Sequence, residues 1–203
     1  MAFIEPITLR GEHATLEPLS ASHRDELNAA AADGELWKLW YTFIPPPEKM
    51  QDYIDTALAM RSNAHAMPFV IRSNASSKVV GSTRFFNVDP VHRRVEIGHT
   101  WHAASVQRTA INTECKLMLL THAFEKLECI AVEFRTHWMN HQSRAAIARL
   151  GAKQDGVLRN HQRMPDGSLR DTVVFSIIQS EWPTVKRHLQ FRLERPQSGN
   201  RQC

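Results

Sequence analysis

Two features of this chain have the residue types for chemistry: a carboxylate, Glu96, in a strand-like segment, and a short run from Gln107 to Asn112 that carries Arg108 and no carboxylate. Val95 to His102 is rich in β-branched and aromatic residues. Thr113 to Leu127 instead places Leu117, Leu120, Phe124 and Leu127 at helical spacing, with Glu114, Lys116, Glu125 and Lys126 on the other side. A strand that breaks and feeds a helix brings free amide N–H groups and the positive helix end to one place, which suits phosphate. The same composition describes an ordinary strand-turn-helix junction. Glu96 shares a face with Gly98 and Thr100 by alternation, so it can accept a proton or pair with Arg84 or Arg93. Glu133 is the reserve, with Arg135 on its face to neutralise it. The histidines offer no metal site, since His99 and His102 span a strand end and His137 and His141 straddle a strand-helix junction. Cys115 and Cys129 fall in core elements without a neighbouring base, which argues against a nucleophilic thiol.

The elements that must position these residues follow from pattern. Ile7 to Leu19 reads as a strand kinked or folded into a hairpin at Gly11-Glu12, near one sheet edge. Ser22 and Asp25 start a helix that runs to about Ala32, and Gly34 stops it. Leu36 to Phe43 gathers Trp37, Trp40, Tyr41 and Phe43 before Pro45 to Pro47, and a second helix covers Glu48 to Arg61. Met67 to Arg72, Lys78 to Asp89 and Arg94 to His102 form an antiparallel meander. The helix after residue 113 then returns the chain in parallel to a strand from Cys129 to Thr136. A helix from Met139 to Leu150, a hairpin over Ala152 to Arg163 and Leu169 to Ile178 with P-D-G-S at its turn, and a closing helix from Ser180 to about Leu193 complete a single domain over residues 1–193. Residues 194–203 read as a flexible tail.

The turn Q-R-T-A-I-N-T-E resembles the pyrophosphate loop of the GNAT superfamily of N-acetyltransferases, R/Q-x-x-G-x-G/A followed by T-E. Gln107 and Arg108 open it, Ala110 stands at the first glycine and Asn112 at the second glycine or alanine. Because Ala110 resists positive φ, the loop is expected to be helical already at that point. A second segment, W-M-N-H-Q-S-R-A-A-I-A-R-L-G-A, resembles the N-x-x-S helix of the ribosomal-protein acetyltransferase branch through Asn140, Ser143, Leu150 and Gly151. The resemblance spans roughly residues 7 to 182.

The resemblance implies an α/β (α+β) fold, a mostly antiparallel mixed sheet whose parallel strand pair splays at the cofactor site, with helices on both faces. It implies acetyl-CoA as cosubstrate and no metal. Arg108, Thr109, Ala110, Ile111, Asn112 and Thr113 would bind pyrophosphate, Asn140 the pantetheine arm, Arg144 a nucleotide phosphate, and the main chains of Trp101 and His102 the pantetheine or thioester. Trp37 and Tyr41 would meet the acceptor. Glu96 would be the general base. The tyrosine that many members carry seven residues after the asparagine is Ile147 here, so Ser143 takes its place beside the leaving sulfur. An α-amine of pKa about 8 is roughly a tenth to a third neutral near pH 7 to 7.5, against roughly 0.1% for a lysine near 10.4. A site with so few acid–base groups therefore suits the α-amine of a protein or peptide N-terminus or of an amino acid derivative. Acetylation of a small-molecule amine, such as an antibiotic or metabolite, is the alternative, and a non-catalytic CoA-binding sensor, motivated by Ala110, Asn112 and the missing tyrosine, is another.

Bulk properties bound the partners. The 203 residues, 42% hydrophobic, carry a formal charge of +4, which attracts an anionic cofactor as well as it would nucleic acid. There is no Lys/Arg run of five or more and no aromatic-basic motif, so no nucleic-acid partner is expected. Cys115, Cys129 and Cys203 form an odd, unclustered set, and the first residues lack a leader-like pattern, so a cytoplasmic, membrane-free protein is expected. A homodimer is a family-level expectation.

Overall fold

In the computed structural model, which describes residues 3–195, the alternating segments of the middle third fold as a meander. It consists of β3 (Ala66–Ser73), β4 (Val79–Asp89) and β5 (Arg94–His102). The amino-terminal hairpin, β1 (Leu9–Arg10) and β2 (Ala14–Pro18), adds an edge to β3. On the far side stand β6 (Ala131–His137), β7 (Lys153–Arg163) and β8 (Leu169–Ile178), giving the order β1-β2-β3-β4-β5-β6-β8-β7. Every neighbouring pair is antiparallel except β5 and β6. That parallel ladder has only three rungs, Arg94 with Ala131, Val95 with Val132 and Glu96 with Glu133. Beyond Glu96 the two strands part, and β5 runs on to His102 while β6 runs on to His137.

The helices are α1 (Arg24–Ala32), α2 (Met50–Ser62), α3 (Ala110–Glu125), α4 (His141–Arg149) and α5 (Trp182–Glu194). Consecutive residues of β4 show which face each covers. Arg84 packs on Tyr53 and Met60 of α2, whereas Phe85 points the other way, toward His122 of α3. Residues 196–203, most of the expected tail, lie outside the described residues.

Helix α3 begins at Ala110, where the loop is expected to be helical already, with Thr109 as its cap. Three local readings change. Glu114 and Lys116, read as solvent-facing, are buried. The Glu114 carboxylate accepts N–H bonds from Glu12 (2.7 Å), His13 (2.8 Å) and Ala14 (2.8 Å), so it satisfies the turn of the β1–β2 hairpin. The helix near residue 22 opens as a short turn at Ala21, where the ring of His23 accepts the N–H of Ser20 at 3.1 Å, in place of Ser22 and Asp25. The third change lies in β5. Ser82 pairs with Trp101 but Arg84 with Gly98, so Thr83 faces both His99 and Thr100. This is a β-bulge, with His99 at φ 48°. The bulge reverses the alternation, and Thr100 lies on the α3 face, opposite to Glu96. Gly81 sits beside this irregularity, where any Cβ would collide with the Trp101 carbonyl oxygen.

Candidate active site

The segment joining β5 to α3 is anchored before it turns. Asp33, just past α1, accepts the N–H of Ala104 on its carbonyl (3.0 Å) and that of Ser105 on its carboxylate (3.3 Å). Gly34 follows with φ 94°, its bare Cα packed against Ala104 where a side chain would clash. Arg108 takes the left-handed conformation, φ 63°, leaving Ala110 free to be the first helical residue. Thr109 caps the helix: its hydroxyl donates to the Val106 carbonyl (2.7 Å) and accepts from Ile111 N–H (3.4 Å). Ala110, Ile111, Asn112 and Thr113 form a first turn without an acidic residue. Its dipole and N–H groups favour an anion.

A second helix start lies across the gap. Asn140 caps α4 by accepting Ser143 N–H at 2.9 Å, while the Ser143 hydroxyl has no hydrogen-bond partner among the described residues. Arg144 lies 4.1 Å over the Trp138 ring and donates to the Trp138 carbonyl (3.2 Å). Gln107 connects the two sides, donating to the His102 carbonyl (3.1 Å) and accepting from Gln142 (3.4 Å).

Glu96 occupies the last rung before the strands part. It is 3% exposed; Asn87 donates to it at 2.8 Å and the Arg135 Nε stands 3.3 Å away. Burial pushes its pKa up to about 7, against the pull of Asn87, Arg135 and Arg170. Glu133 is its partner in register, yet it behaves oppositely. Burial favours its neutral form, but hydrogen bonds from Arg94 and from Arg135 (3.0 Å) outweigh that and hold its pKa below the usual value. Only one of the two carboxylates is thus poised to exchange a proton near neutrality.

Beyond Glu96, along β6 and β8, stand groups to which sequence reasoning gave no role at the base. Arg170 of β8 donates from Nε to Thr172 (3.0 Å), and its guanidinium lies 5.6 Å from the Phe43 ring. His137 accepts the Met139 N–H on Nδ1 (3.0 Å), which leaves the proton on Nε2, a buried atom without a partner. The Trp40 ring meets His137 edge-on at 5.1 Å and Tyr41 at 5.6 Å. Trp37 is partly buried and packs against the hydrophobic core, while Trp40 and Phe43 are half exposed. Trp101 is buried on the Glu96 face, its indole donating to Tyr53 at 3.4 Å.

The bulge sends other groups to the α3 face. Lys116 donates to Thr100 (2.7 Å), which shares a hydrogen bond with Thr83 (2.8 Å). Burial pushes the lysine pKa down to about 8. His102 lies beside it, its pKa lowered to about 3 by burial and then by Lys116, so its ring is neutral. Burial pushes Cys115 up to about 12 and Cys129 up to about 11, so both remain thiols.

Residues 13–153 match the model of the acetyltransferase (GNAT) domain. The chain belongs to the GNAT acetyltransferase family. The candidate ribosomal N-acetyltransferase YdaF of Bacillus subtilis (strain 168) is 28% identical to this GNAT protein over 180 residues, covering 86% of this chain and 96% of that one. A crystallised GCN5-related N-acetyltransferase from Brucella melitensis is 29% identical with a TM-score of 0.84, covering 98% of this chain and 90% of that chain. Mycobacterium smegmatis RimJ, solved with CoA-disulfide, shares the fold at 20% identity and a TM-score of 0.78, over 92% of this chain and 95% of that chain. This GNAT protein is therefore an acyltransferase that uses acetyl-CoA. Its residues fit that cosubstrate: a carboxylate-free helix start for a pyrophosphate, and unpaired strand edges past Glu96 for an amide-bearing arm. No helix among the described residues is long and apolar enough to cross a membrane.

Proposed function

We propose that this acetyltransferase acts on an α-amine, that of a protein or peptide N-terminus or of an amino acid derivative, by direct attack. The observation that carries the reading is Glu96, buried where the parallel strands part, with a pKa of about 7. A base of that pKa accepts a proton near neutrality and is matched to an amine of pKa about 8 far better than to a lysine near 10.4. The relative named for ribosomal N-acetylation supports a protein N-terminus.

When bound, acetyl-CoA supplies an acetyl group activated as a thioester. The first turn of α3, with Arg108 and Thr109 to Thr113, holds the anionic end through N–H groups and the helix dipole. Asn140 and Arg144 at the start of α4 flank the arm and a phosphate, and the main chains of Trp101 and His102 line the gap. Glu96 takes the amine proton directly or through water. The partnerless Ser143 hydroxyl donates a hydrogen bond to the departing sulfur, whose thiol pKa of roughly 8.5 makes a strong acid unnecessary. Tyr41, with Trp40, borders the acceptor.

The test is CoA thiol release with two peptides, one with a free N-terminus and no lysine, the other N-terminally blocked with one lysine. Turnover confined to the first is expected. Equal turnover of the blocked lysine peptide would refute the α-amine reading.

A further inference from the structure

The face of the sheet that carries Glu96 has more positive charge than its own carboxylates answer. Arg84, Arg94, Arg135 and Arg170 stand there against Glu96 and Glu133. Arg94 and Arg135 are spoken for by Glu133 and Glu96. The other two arginines have no carboxylate within ion-pair distance among the described residues. Arg84 is 2% exposed; its Nη1 reaches only the Met60 sulfur at 3.8 Å, and its Nε and Nη2 are buried without partners. A buried cation with no counter-charge is costly, and its field persists where water does not screen it.

Arg170 is the accessible member of this pair. Thr172 holds its Nε and Phe43 lies against its guanidinium, which fixes the planar group. Its remaining edge, Nη1 and Nη2, has no hydrogen-bond partner among the described residues. Two parallel N–H groups on one edge match the two oxygens of a carboxylate. Arg170 lies on β8 two residues from Thr172, which pairs with His137 of β6, the strand that carries the register partner of Glu96. Its charge reaches Glu96, His99 and His137, so the fork lies along the seam within electrostatic range of the proposed base. His99 and His137 add no positive charge, because the protein around each, together with the arginines, holds its pKa below the ordinary value.

We propose that the acceptor carries a carboxylate close to its amine, and that Arg170 grips it while Glu96 receives the amine proton. This rests on the α-amine reading and narrows it. The carboxylate can come from an acidic side chain at the start of a peptide or from the α-carboxylate of a free amino acid. Arg84 contributes the unbalanced positive field beneath; Arg170 makes the contact and sets specificity.

The experiment compares kcat/KM by thiol release in two matched pairs: peptides beginning with Asp or Asn, and free alanine or alaninamide. A charge-assisted bidentate pair is expected to favour the acidic member of one pair on the order of tenfold or more, and which pair responds identifies the source of the carboxylate. Arg170→Gln should collapse that ratio toward one, and Arg170→Lys, which keeps charge without the fork, should retain part of it. A ratio near one for both pairs in the unmodified protein, or a ratio that survives Arg170→Gln, overturns the proposal and leaves the α-amine reading standing. If every α-amine is inert, that reading fails separately. Titration of the acetylated product of the responding pair and of its neutral counterpart (N-acetyl-Asp against N-acetyl-Asn peptide, or N-acetylalanine against N-acetylalaninamide) into the CoA-loaded enzyme then reads the fork without turnover, and equal or absent binding of the two overturns the proposal.

Discussion

Replacing Glu96 by Gln should lower activity and raise stability, an opposition that few substitutions in this fold can produce. The two side chains have the same shape, and the glutamine carbonyl can still accept the Asn87 N–H now received at 2.8 Å. What changes is the charge. Burial lifts the Glu96 pKa from 4.5 to about 7, and each step of one in pKa is worth about 1.4 kcal/mol. Ionising this group within the fold therefore costs about 3 kcal/mol once the pH is well above 7. Because the folded value is raised, the associated stability is fully present below the unfolded value near 4.5 and is lost as the pH rises through 7. Glu96→Gln should thus melt as the parent does near pH 4 but higher at pH 8, by roughly 6 to 12 °C for a chain of this size. Its kcat should fall on the order of a hundredfold or more, the usual worth of a positioned base. The parent kcat should rise with pH to a plateau, with a midpoint near 7, as Glu96 loses its proton. Thermal melts at the two pH values and a kcat profile by thiol release from pH 5.5 to 9 test this directly. A variant that melts lower at pH 8, or that keeps more than about a third of the parent kcat, would refute the reasoning, as would a kcat midpoint near 4.5.

Three further outcomes follow from buried or strained positions. Glu114→Ala strips three buried or half-buried N–H groups of their acceptor, and should destabilise by about 3 kcal/mol or more in denaturant titration. Lys116→Met removes a buried ammonium whose pKa is depressed to about 8. Since the folded value lies below the unfolded 10.5, the parent's penalty is largest below pH 8 and vanishes above 10.5, so the variant should gain stability at pH 7 and none at pH 10.5. Arg108→Gly keeps a residue suited to φ 63° while removing the side chain at the mouth of the α3 turn, and should increase KM for acetyl-CoA with kcat little changed in thiol-release assays.

Much of the architecture was readable because alternation and helical spacing act locally. The meander from residue 66 to 102, the parallel return through α3 and the P-D-G-S hairpin all appear where their patterns place them. Ala110 as the first helical residue follows from the steric refusal of alanine to take positive φ, and the strain passes to Arg108. The face of Thr100 was not readable. The bulge at His99 has no glycine to mark it, and one unannounced residue reverses everything after it. Glu114 and Lys116 look like solvent-facing residues of an amphipathic helix, and only the distant hairpin turn and Thr100 explain their burial. The aromatic segment was recognisable as a group, but not that Trp40 and Phe43, rather than Trp37, would meet His137 and Arg170. Asn87 and Arg135 reach Glu96 through tertiary packing, which leaves no local trace.

The three-rung ladder between β5 and β6 makes the sheet mechanically uneven. Five strands lie on one side of this seam and three on the other. Across it, backbone bonding is short, and Arg94 and Glu96 of β5 are riveted ionically to Glu133 and Arg135 of β6. The two blocks are thus joined by few backbone bonds along the line where we propose the cosubstrate arm to lie, so a molecule seated there would act as a clasp. Its binding energy is also energy that closes the sheet, and the loaded protein should exchange the amide protons flanking the seam far more slowly than the empty one.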